Sequence, residues 1–329
     1  IKTICHSPKT AHLCFNKQET HIFLEENNFN TAKSVYVHHE HYWAERNKNI
    51  IQTNIYKEYV HNEIKKLKFP VVIKDTTGLS SYGMDVVQTY NEAIHILNSK
   101  KNNGDRLVEE YITGDSFGIE IYGNENNYFV SEVLINSVNQ FGLTSPKQNV
   151  KLGPVLNEKF KINELKEEMK RLAKLLKLNG IAQVDLIYHD NKWFIVEINS
   201  RISGMTQTLC SIYGITIFEL FVSICKNDFS KLSIKNFSCN LKFPLLSNEK
   251  LEKLFNTKFV QYVNQIENNE AKQLRETGYS EIIFNSQNSL EEIINNLKIL
   301  NEKFNNEMEP IFYENTIKLY NVIKNTSDL

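Results

Sequence analysis

Helical and extended patterns alternate along the first third of the chain. Residues 17–28 place apolar side chains at helical spacing and end in Asn-Asn, and an extended run over residues 34–38 follows. Residues 53–67 predict a second helix, and the β-branched run 71–74 after Phe69-Pro70 predicts a buried strand. A Gly/Ser-rich turn, a strand, a helix and a strand are predicted next, over residues 76–83, 84–88, 90–99 and 106–112. This alternation indicates an α/β layer.

The middle of the chain predicts hairpins on either side of one long helix. Residues 116–133 alternate about a polar turn at 123–127, which is typical of an antiparallel hairpin. The loop 136–154 is long, and loops of this length usually serve a site. The amphipathic stretch 161–178 predicts a helix with a left-handed cap at Asn179-Gly180. Two strands joined by a tight turn are predicted after it, over residues 182–188, 189–192 and 193–198.

Residues after about 230 are more polar and rich in Asn and Lys. Their apolar positions still recur at helical spacing between residues 288 and 325, so this segment predicts a separate small α/β unit. A length of 329 residues exceeds what one compact core usually contains. We therefore expect two or three subdomains.

Composition narrows the class of protein. Apolar residues make up 41% of the chain, enough for a substantial core, and the 38 basic and 39 acidic residues nearly cancel. No overall field would therefore attract nucleic acid or anionic lipid, and no apolar run is long enough to predict a membrane span. Five scattered cysteines without a CxxC pair favour a reducing cytoplasm. The first residue is Ile1, which leaves open a missing N-terminal segment, including a targeting peptide.

The first candidate for chemistry is Lys74, which ends a predicted strand before a Gly/Ser turn. Glycines let backbone N–H groups face phosphate oxygens, and a lysine adds a positive charge. Gly78 and Gly83 have part of the Walker spacing, but Met84-Asp85 stands where that loop requires Lys-Ser/Thr, which excludes a P-loop. Taken alone, the segment is better explained as an ordinary turn with a surface lysine.

The stronger candidate is a group of polar side chains on a predicted hairpin. Glu197 and Asn199 alternate on one strand and share a face, and Asp185 lies on the neighbouring strand. Carboxylate and amide oxygens are ligands that magnesium prefers. Arg201 follows with a fork suited to phosphate or carboxylate. The alternative is an exposed polar hairpin face, but the apolar residues 193–196 favour burial.

Two further features are weaker. The tract His38-His39-Glu40-His41 could bind a transition metal, but a single tract without a second ligand cluster is more typical of a polar surface. Cys210 lies in an apolar run and is expected to be packed instead of reactive. The sequence has no GxSxG or Cys/His signature of a covalent nucleophile.

Four motifs together resemble the ATP-grasp ligases, from about residue 12 to 221. They are residues 72–74 with the Gly/Ser loop, residues 108–114, residues 184–187 and residues 197–201. Each is weak alone, but all four in this order are specific. The resemblance implies an α/β (α+β) ATP-grasp fold of two subdomains that bind ATP between them, after a truncated Rossmann-like domain. The implied layout is a remnant and linker helix (1–33), subdomain 1 with the lid loop (34–108), subdomain 2 with the magnesium site (109–229) and a small C-terminal domain (230–329).

The resemblance also implies roles for individual residues. Lys74 and Arg201 would be catalytic, with Lys74 on phosphate and Arg201 steadying the γ-phosphate or an acyl phosphate. Asp185, Glu197 and Asn199 would hold magnesium, or manganese in its place. The residues implied to bind ATP are Lys17, Lys74, the lid residues Ser81 and Gly83, the hinge residues Glu109, Glu110, Tyr111 and Ile112, and Asp115. Asp115 is included because Ser116 stands where the family usually has a ribose-binding glutamate.

The implied activity is an ATP-dependent ligase that activates a carboxylate as an acyl phosphate and couples it to an amine. Carbamoyl-phosphate-type or acid-thiol chemistry remains an alternative, as does a non-catalytic ATP-binding partner subunit. Residues 202–206 lack the Val-Glu-His element of biotin carboxylases, which argues against bicarbonate activation for biotin. The expected partners are a small carboxylate and a small amine, with no nucleic acid and no membrane. A separate subunit or a missing segment would supply the front domain, and a homodimer is left open.

The implied acceptor pocket would include part of the 136–154 loop, with Lys147 and Lys151, and the turn at residues 204–208. A lysine in a polar loop is more often merely solvated, so these two assignments are the weakest made from the sequence.

Overall fold

The structure is a computed structural model. It describes residues 4–46, 54–77, 84–99, 103–124, 127–139, 149–243, 245–267, 278–304 and 308–324. These residues form a mixed α+β fold with two sheets, and every strand pairing recorded in it is antiparallel. The predicted fold class is confirmed.

The smaller sheet has the strand order β1-β4-β2-β3. Its strands are β1 (Ser34–Val37), β2 (Val71–Asp75), β3 (Asp85–Val87) and β4 (Arg106–Glu110). The helices before β5 are α1 (Pro8–Phe15), α2 (Lys17–Glu26), α3 (His39–Tyr42), α4 (Ile55–Lys65) and α5 (Tyr90–Leu97). Helices α3, α4 and α5 pack on the smaller sheet, whereas α1 and α2 contribute Cys14 and Leu24 to the core of the larger sheet. Val71 and Ile73 pack with buried residues of α4 and α5. Because side chains alternate along a strand, Val72 and Lys74 lie on the opposite face.

The larger sheet runs β10-β9-β5-β7-β8-β11-β13-β12, with β6 paired to β5. Its strands are β5 (Asp115–Asn124), β6 (Asn127–Val130), β7 (Leu134–Asn136), β8 (Val150–Gly153), β9 (Gly180–His189), β10 (Lys192–Asn199), β11 (Phe237–Phe243), β12 (Val260–Glu267) and β13 (Gly278–Ser286). The remaining helices are α6 (Ile162–Leu176), α7 (Thr206–Tyr213), α8 (Ile217–Lys226), α9 (Asn248–Phe255), α10 (Leu290–Lys303) and α11 (Pro310–Lys324).

Helices cover the two faces of the larger sheet unequally. Helices α6, α10 and α11 pack on the face that carries Phe117, Leu152 and Phe284. Helices α7 and α8 cover only part of the other face, around Tyr122 and Leu134. The uncovered part of that second face is therefore available to a site. Cys210, a residue of α7, is buried, as predicted.

Two expectations are corrected by the structure. The segment after residue 230 is not a separate unit, because β11 pairs directly with β8 and extends the same sheet and core. The left-handed residue at the end of α6 is Lys177, with φ of 50°, and not the Asn179-Gly180 pair, because Gly180 already begins β9. The subdomain boundaries at residues 33, 108 and 229 stay predictions.

The predicted loop 136–154 is ordered at both ends. Its first residue belongs to β7, and residues 150–153 form β8, which pairs with β7. Residues 140–148 lie outside the described part of the chain. The paired ends bring Lys151 into the larger sheet instead of a solvated loop.

A membrane-crossing helix was also sought. Among the described residues, no single helix has the length and apolar character to cross a membrane. The pair α7 and α8, bent by 88°, passes only on combined length and composition.

Candidate active site

A cleft between the two sheets brings most of the predicted site residues together. Its lining from the smaller sheet and hinge includes Val72, Lys74, Met84, Glu109, Glu110, Tyr111 and Ile112. Its lining from the larger sheet includes Gly114, Ser116, Asp185, Leu186, Ile187, Ile195, Val196 and Glu197. Residues far apart in the sequence thus share one cavity because the two sheets face each other across residues 110–114.

On the smaller sheet, Lys74 forms an ion pair with Glu109. Lys74 Nζ lies 2.6 Å from Glu109 Oε2, and the two residues are only 2% and 8% exposed. Buried charges are tolerated when they are paired and hydrogen-bonded, so each of these residues requires the other. An ammonium has three donors, which leaves Lys74 able to contact a phosphate oxygen in the cleft as well.

The hinge residues 109–112 are fixed by backbone hydrogen bonds. The Tyr111 N–H donates to the Pro70 carbonyl at 3.0 Å, and the Glu110 N–H donates to the Lys33 carbonyl at 2.9 Å. The Glu110 carboxylate accepts from the Lys68 N–H at 2.9 Å. These bonds anchor Glu110 and Tyr111 to the segments that precede β1 and β2, on the lining of the cleft.

On the larger sheet, Glu197 and Asp185 are directly opposite each other across β10 and β9. The register shifts between Ile195 and Glu197, so Val196 is an extra residue on β10. Regular alternation would place Glu197 on the same face as the buried Ile195. The bulge turns Glu197, and Asn199 after it, to the face that carries Asp185.

Hydrogen bonds hold these polar groups in place. The Gln183 amide donates to Asp185 Oδ1 at 2.7 Å, and the Asn199 amide lies 3.4 Å from Asp185 Oδ2. Arg201 Nη2 donates to Asn199 Oδ1 at 3.2 Å. Burial, reinforced by the neighbouring Glu197 carboxylate, raises the pKa of Asp185 to about 7. Both causes disfavour a second negative charge, and a bound cation would offset them.

The donor set suits magnesium. Asp185 and Glu197 supply carboxylates and Asn199 an amide oxygen, and Mg²⁺ typically takes one or two carboxylates together with substrate phosphates. Within the described residues, no group of three or more His, Cys, Asp or Glu is arranged for a metal ion. This is consistent with a set that contains two carboxylates and completes its shell with substrate oxygens.

Lys17 connects the two sides of the cleft. Its ammonium pairs with Glu197 Oε1 at 3.0 Å, and its backbone N–H donates to the Thr76 carbonyl at 2.8 Å. Asn16 caps α2 by accepting from Gln18 and Glu19, which fixes Lys17 as the first residue of that helix. The Lys17 ammonium thus lies beside the proposed metal ligand Glu197, while the Lys17 backbone is bonded to the segment before the predicted lid loop.

Asp115 is a predicted site residue whose side chain the structure turns away from the cleft. Asp115 and Ser116 are adjacent on β5 and point to opposite faces, and Ser116 is the one that lines the cavity. Burial raises the pKa of Asp115, and Lys318 and Lys159 oppose that shift from the helical face of the sheet. A contact between the Asp115 carboxylate and ribose is therefore not supported. Ser81, Gly83 and Lys147 lie outside the described residues.

Gln183 is a site residue that sequence reasoning missed. It precedes Asp185 by two positions on β9 and therefore shares its face. The same alternation that connected Glu197 to Asn199 could have found it. The His38–His41 tract, in contrast, forms the cap and start of α3, where the His38 ring packs at 4.2 Å from the His41 ring.

The fold and the arrangement of these side chains define an ATP-grasp protein. The chain belongs to the family described as D-ala D-ala ligase C-terminus, whose model matches residues 33–217. That match includes the smaller sheet, strands β5 to β10 of the larger sheet and every described residue of the proposed site except Lys17.

Comparison with individual proteins is consistent with this membership. The chain is 32% identical over 155 residues to a D-alanine–D-alanine ligase of Francisella philomiragia, covering 45% of this chain and 50% of that protein. It is 22% identical over 172 residues to a carbamoyl phosphate synthase large chain of Clostridium beijerinckii, covering 49% of this chain and 15% of that protein. The chain thus spans about half of the D-alanine–D-alanine ligase it matches.

A solved structure shares the fold over most of the chain. It is an L-amino acid ligase from Bacillus licheniformis, with a TM-score of 0.66 and 18% identity, covering 89% of this chain and 72% of that chain.

Proposed function

We propose that the chain is an ATP-dependent ligase that phosphorylates a carboxylic acid and joins it to an amine, releasing ADP and phosphate. The observation that carries this proposal is the cleft itself, with Lys74 on one wall and Asp185 and Glu197 on the other. Family membership supports the same class of reaction. Arg201, held by Asn199 at the end of β10, adds a cation at the metal side.

Each group in the cleft has a separate task in this reaction. Asp185, Glu197 and Asn199 would hold Mg²⁺, which when bound neutralises charge on the nucleotide phosphates. Lys74 and Lys17 would position the phosphates, and Arg201 would stabilise charge on the transferred group. The rigid hinge at residues 109–112 would hold adenine between the sheets. The lid residues Ser81 and Gly83 would cover the phosphates.

The chemistry requires two displacements. A carboxylate oxygen attacks the γ-phosphorus of ATP, the bond to the bridging oxygen breaks, and ADP leaves. A neutral amine then attacks the acyl carbon, the bond from that carbon to the phosphate oxygen breaks, and phosphate leaves with the electron pair while the extra proton passes to solvent. Holding both substrates in one cleft lowers the barrier through orientation. No protein side chain has to become covalently bonded.

Carbamoyl-phosphate-type chemistry is the second candidate. The similarity to the carbamoyl phosphate synthase large chain over nearly half of this chain favours it. This reaction would require bicarbonate in place of an organic acid. The experiment below distinguishes the two reactions by this requirement.

The remaining features of the proposed biological setting follow from the sequence. We propose a cytoplasmic protein, consistent with five cysteines that are all free of disulfides.

Hydroxylamine trapping tests the proposed reaction. The chain is incubated with ATP, Mg²⁺, hydroxylamine and one member of a panel of amino and hydroxy acids, and ADP and hydroxamate are measured. We expect hydroxamate with at least one acid, and turnover that is lower by about ten- to a hundredfold for Glu197→Gln. Bicarbonate-dependent ADP release without hydroxamate would favour the second candidate. ATP binding without turnover under any of these conditions would contradict both.

A further inference from the structure

A fully buried carboxylate lies on the face of the larger sheet that carries the proposed metal ligands. Glu120 is 0% exposed, and its position on β5 is directly opposite Gln183 of β9, which is in turn opposite Asn199 of β10. Directly opposed residues share a face, so Glu120 lies on the face of Gln183 and Asn199. Its strand neighbours Ile119 and Ile121 point into the core on the other face. The proposed reaction leaves this carboxylate without a task.

Three hydroxyl groups surround the Glu120 carboxylate. The Ser203 and Thr206 hydroxyls both donate to Oε1, and the Tyr122 hydroxyl donates to Oε2, each at 2.6 Å. In the described part of the chain, Glu120 forms no ion pair. Burial raises the pKa of Glu120, and the three hydrogen bonds oppose that shift because they stabilise the charged form. Since an isolated buried charge is costly, the carboxylate depends on these hydroxyls.

The hydrogen bonds before α7 all run toward Glu120. The Met205 N–H donates to the Ser203 hydroxyl at 2.9 Å, and the Ser203 N–H donates to the Thr206 hydroxyl at 3.1 Å. Both hydroxyls then donate to the same carboxylate oxygen. Met205, the N-cap residue of α7, makes no side-chain capping bond. The carboxylate therefore fixes the start of this helix through the two hydroxyls, where a negative charge is also favourable.

The same contact ties the segment that carries Arg201 to the sheet. Arg201, Ile202 and Gly204 are exposed. Among the hydrogen bonds that the described residues make with residues 201–204, only the one from Ser203 to Glu120 reaches beyond residues 199–206. An exposed segment with so few outside bonds is expected to move unless that bond holds it.

The geometry leaves this segment little slack. Strands β10, β9 and β5 are neighbours spaced by about 4.8 Å, so the chain crosses about 10 Å between Asn199 and the position over Glu120. Four residue steps, from Asn199 to Ser203, reach at most about 14 Å. Arg201 is two residues from each of these ends, so movement of Ser203 would be transmitted to its guanidinium.

We propose that Glu120 is a positioning residue of the active site, whose carboxylate holds residues 200–206 so that Arg201 reaches the transferred phosphoryl group. This inference rests on the proposed ligase function. Glu120 touches no substrate itself, because it is wholly buried and its side-chain bonds go to Ser203, Thr206 and Tyr122. Its effect on the reaction should therefore exist only while Arg201 is present.

A double-mutant cycle tests this dependence. The kcat for ADP release is measured for the wild type, Glu120→Gln, Arg201→Met and the double variant. Glu120→Gln keeps the shape of the side chain but makes its hydrogen bonds roughly half as strong. It should lower kcat by about ten- to a hundredfold in the wild type and by less than about twofold in the Arg201→Met background. Equal losses in both backgrounds would show that Glu120 supports only the fold and would overturn the inference.

Tyr122→Phe is the matched control, and Ser203→Ala is a second test variant. Tyr122→Phe removes a hydrogen bond to the same carboxylate but leaves both bonds to the segment, so kcat should stay within about twofold of the wild type. Ser203→Ala removes one bond to the segment and should lower kcat, as Glu120→Gln does. A loss in Tyr122→Phe as large as that in Glu120→Gln would contradict the inference. Thermal unfolding of each variant shows whether a loss reflects the site or the fold.

Hydrogen exchange separates this inference from the proposed function, because it needs no turnover. Amide exchange of residues 200–206 is followed by mass spectrometry on the 329-residue chain. It should be faster by about tenfold or more in Glu120→Gln and Ser203→Ala, and unchanged in Tyr122→Phe. Equal exchange in all four proteins would overturn the inference while leaving the ligase intact. Absence of ADP release from the wild type with every acid would instead contradict the ligase, and the exchange rates would still decide whether Glu120 fixes the segment.

Discussion

Two lysines that are buried in the described part of the chain lie in opposite electrostatic settings. Lys74 in the cleft is neutralised by Glu109, and Lys17 nearby pairs with Glu197. Lys151, on the outer part of the same face, has no ion pair among the described residues and is accompanied by a second cation, Lys242. The cleft end of this face therefore has its lysines paired with carboxylates, whereas the outer end carries an excess of positive charge. The two lysines are buried to a similar extent and differ in the charges around them, so the neighbouring charges distinguish the two regions.

Breaking the balanced pair should have the largest effect. Lys74→Met leaves Glu109 buried without a counter-charge, and we expect a loss of about 3–5 kcal/mol in the free energy of unfolding. Denaturant unfolding measures this loss, and calorimetry measures the expected loss of ATP binding. The double variant Lys74→Met/Glu109→Gln should recover much of the stability but not the ATP binding. If Lys74→Met were as stable as the wild type, Glu109 would not depend on Lys74 for its counter-charge.

Loosening the metal ligands should have an intermediate effect. Gln183→Leu removes the donor that orients Asp185, and loss of such a supporting hydrogen bond typically costs about ten- to a hundredfold in metal affinity. We expect a rise of this size in the Mg²⁺ concentration that gives half-maximal ADP release. Gln261→Leu, on the exposed edge of β12, is the matched control and should behave as the wild type. Equal Mg²⁺ dependence in both variants would remove Gln183 from the site.

Lys151, which has no ion pair among the described residues, should give a smaller effect, seen as a dependence of KM on pH. Since the pKa of Lys151 is lowered to about 8, the ammonium is present below that pH and is lost as the pH rises through it. The charged groups that face it are Lys242, Glu281 and Asp185. KM for the amine acceptor should rise by about fivefold between pH 8 and 9, because the charged fraction of such a group falls by about that factor.

Arginine at the same position serves as the control for pH. Lys151→Arg keeps its charge over this range, so its KM should rise less than that of the wild type. Because both proteins use the same acceptor amine, titration of that amine cancels in the comparison. Parallel profiles for the two proteins would assign the pH effect to another group.

Local patterns predicted the elements of the cleft well. The strand with Lys74, the hairpin with Asp185 and Glu197, and the helix that begins at Lys17 lie where apolar spacing and capping residues indicated. Each depends on interactions within a few residues, such as the Asn16 cap of α2, and such interactions are visible in the sequence.

Features that depend on distant strands were not predictable in the same way. The register shift at Val196 decides which face Glu197 occupies, and nothing in the run 193–199 marks it. The pairing of β8 with β11 joins residues about ninety positions apart, so the C-terminal segment was read as separate. The sequence could not show which of Asp115 and Ser116 faces the cleft, because that depends on how β5 pairs with its neighbouring strands. Only the long-range pairing of β8 with β11 places Asn240 and Lys242 on the same face of the sheet as Lys151.

Oxygen transfer from the acid to phosphate tests the central claim most directly. The chain is supplied with an acid labelled with ¹⁸O in its carboxylate, together with ATP, Mg²⁺ and an amine, and the released phosphate is analysed by mass spectrometry. Activation as an acyl phosphate predicts one ¹⁸O atom in each phosphate, because the carboxylate oxygen that attacks ATP leaves with the phosphoryl group. Phosphate that is free of label while the amide forms would contradict the account.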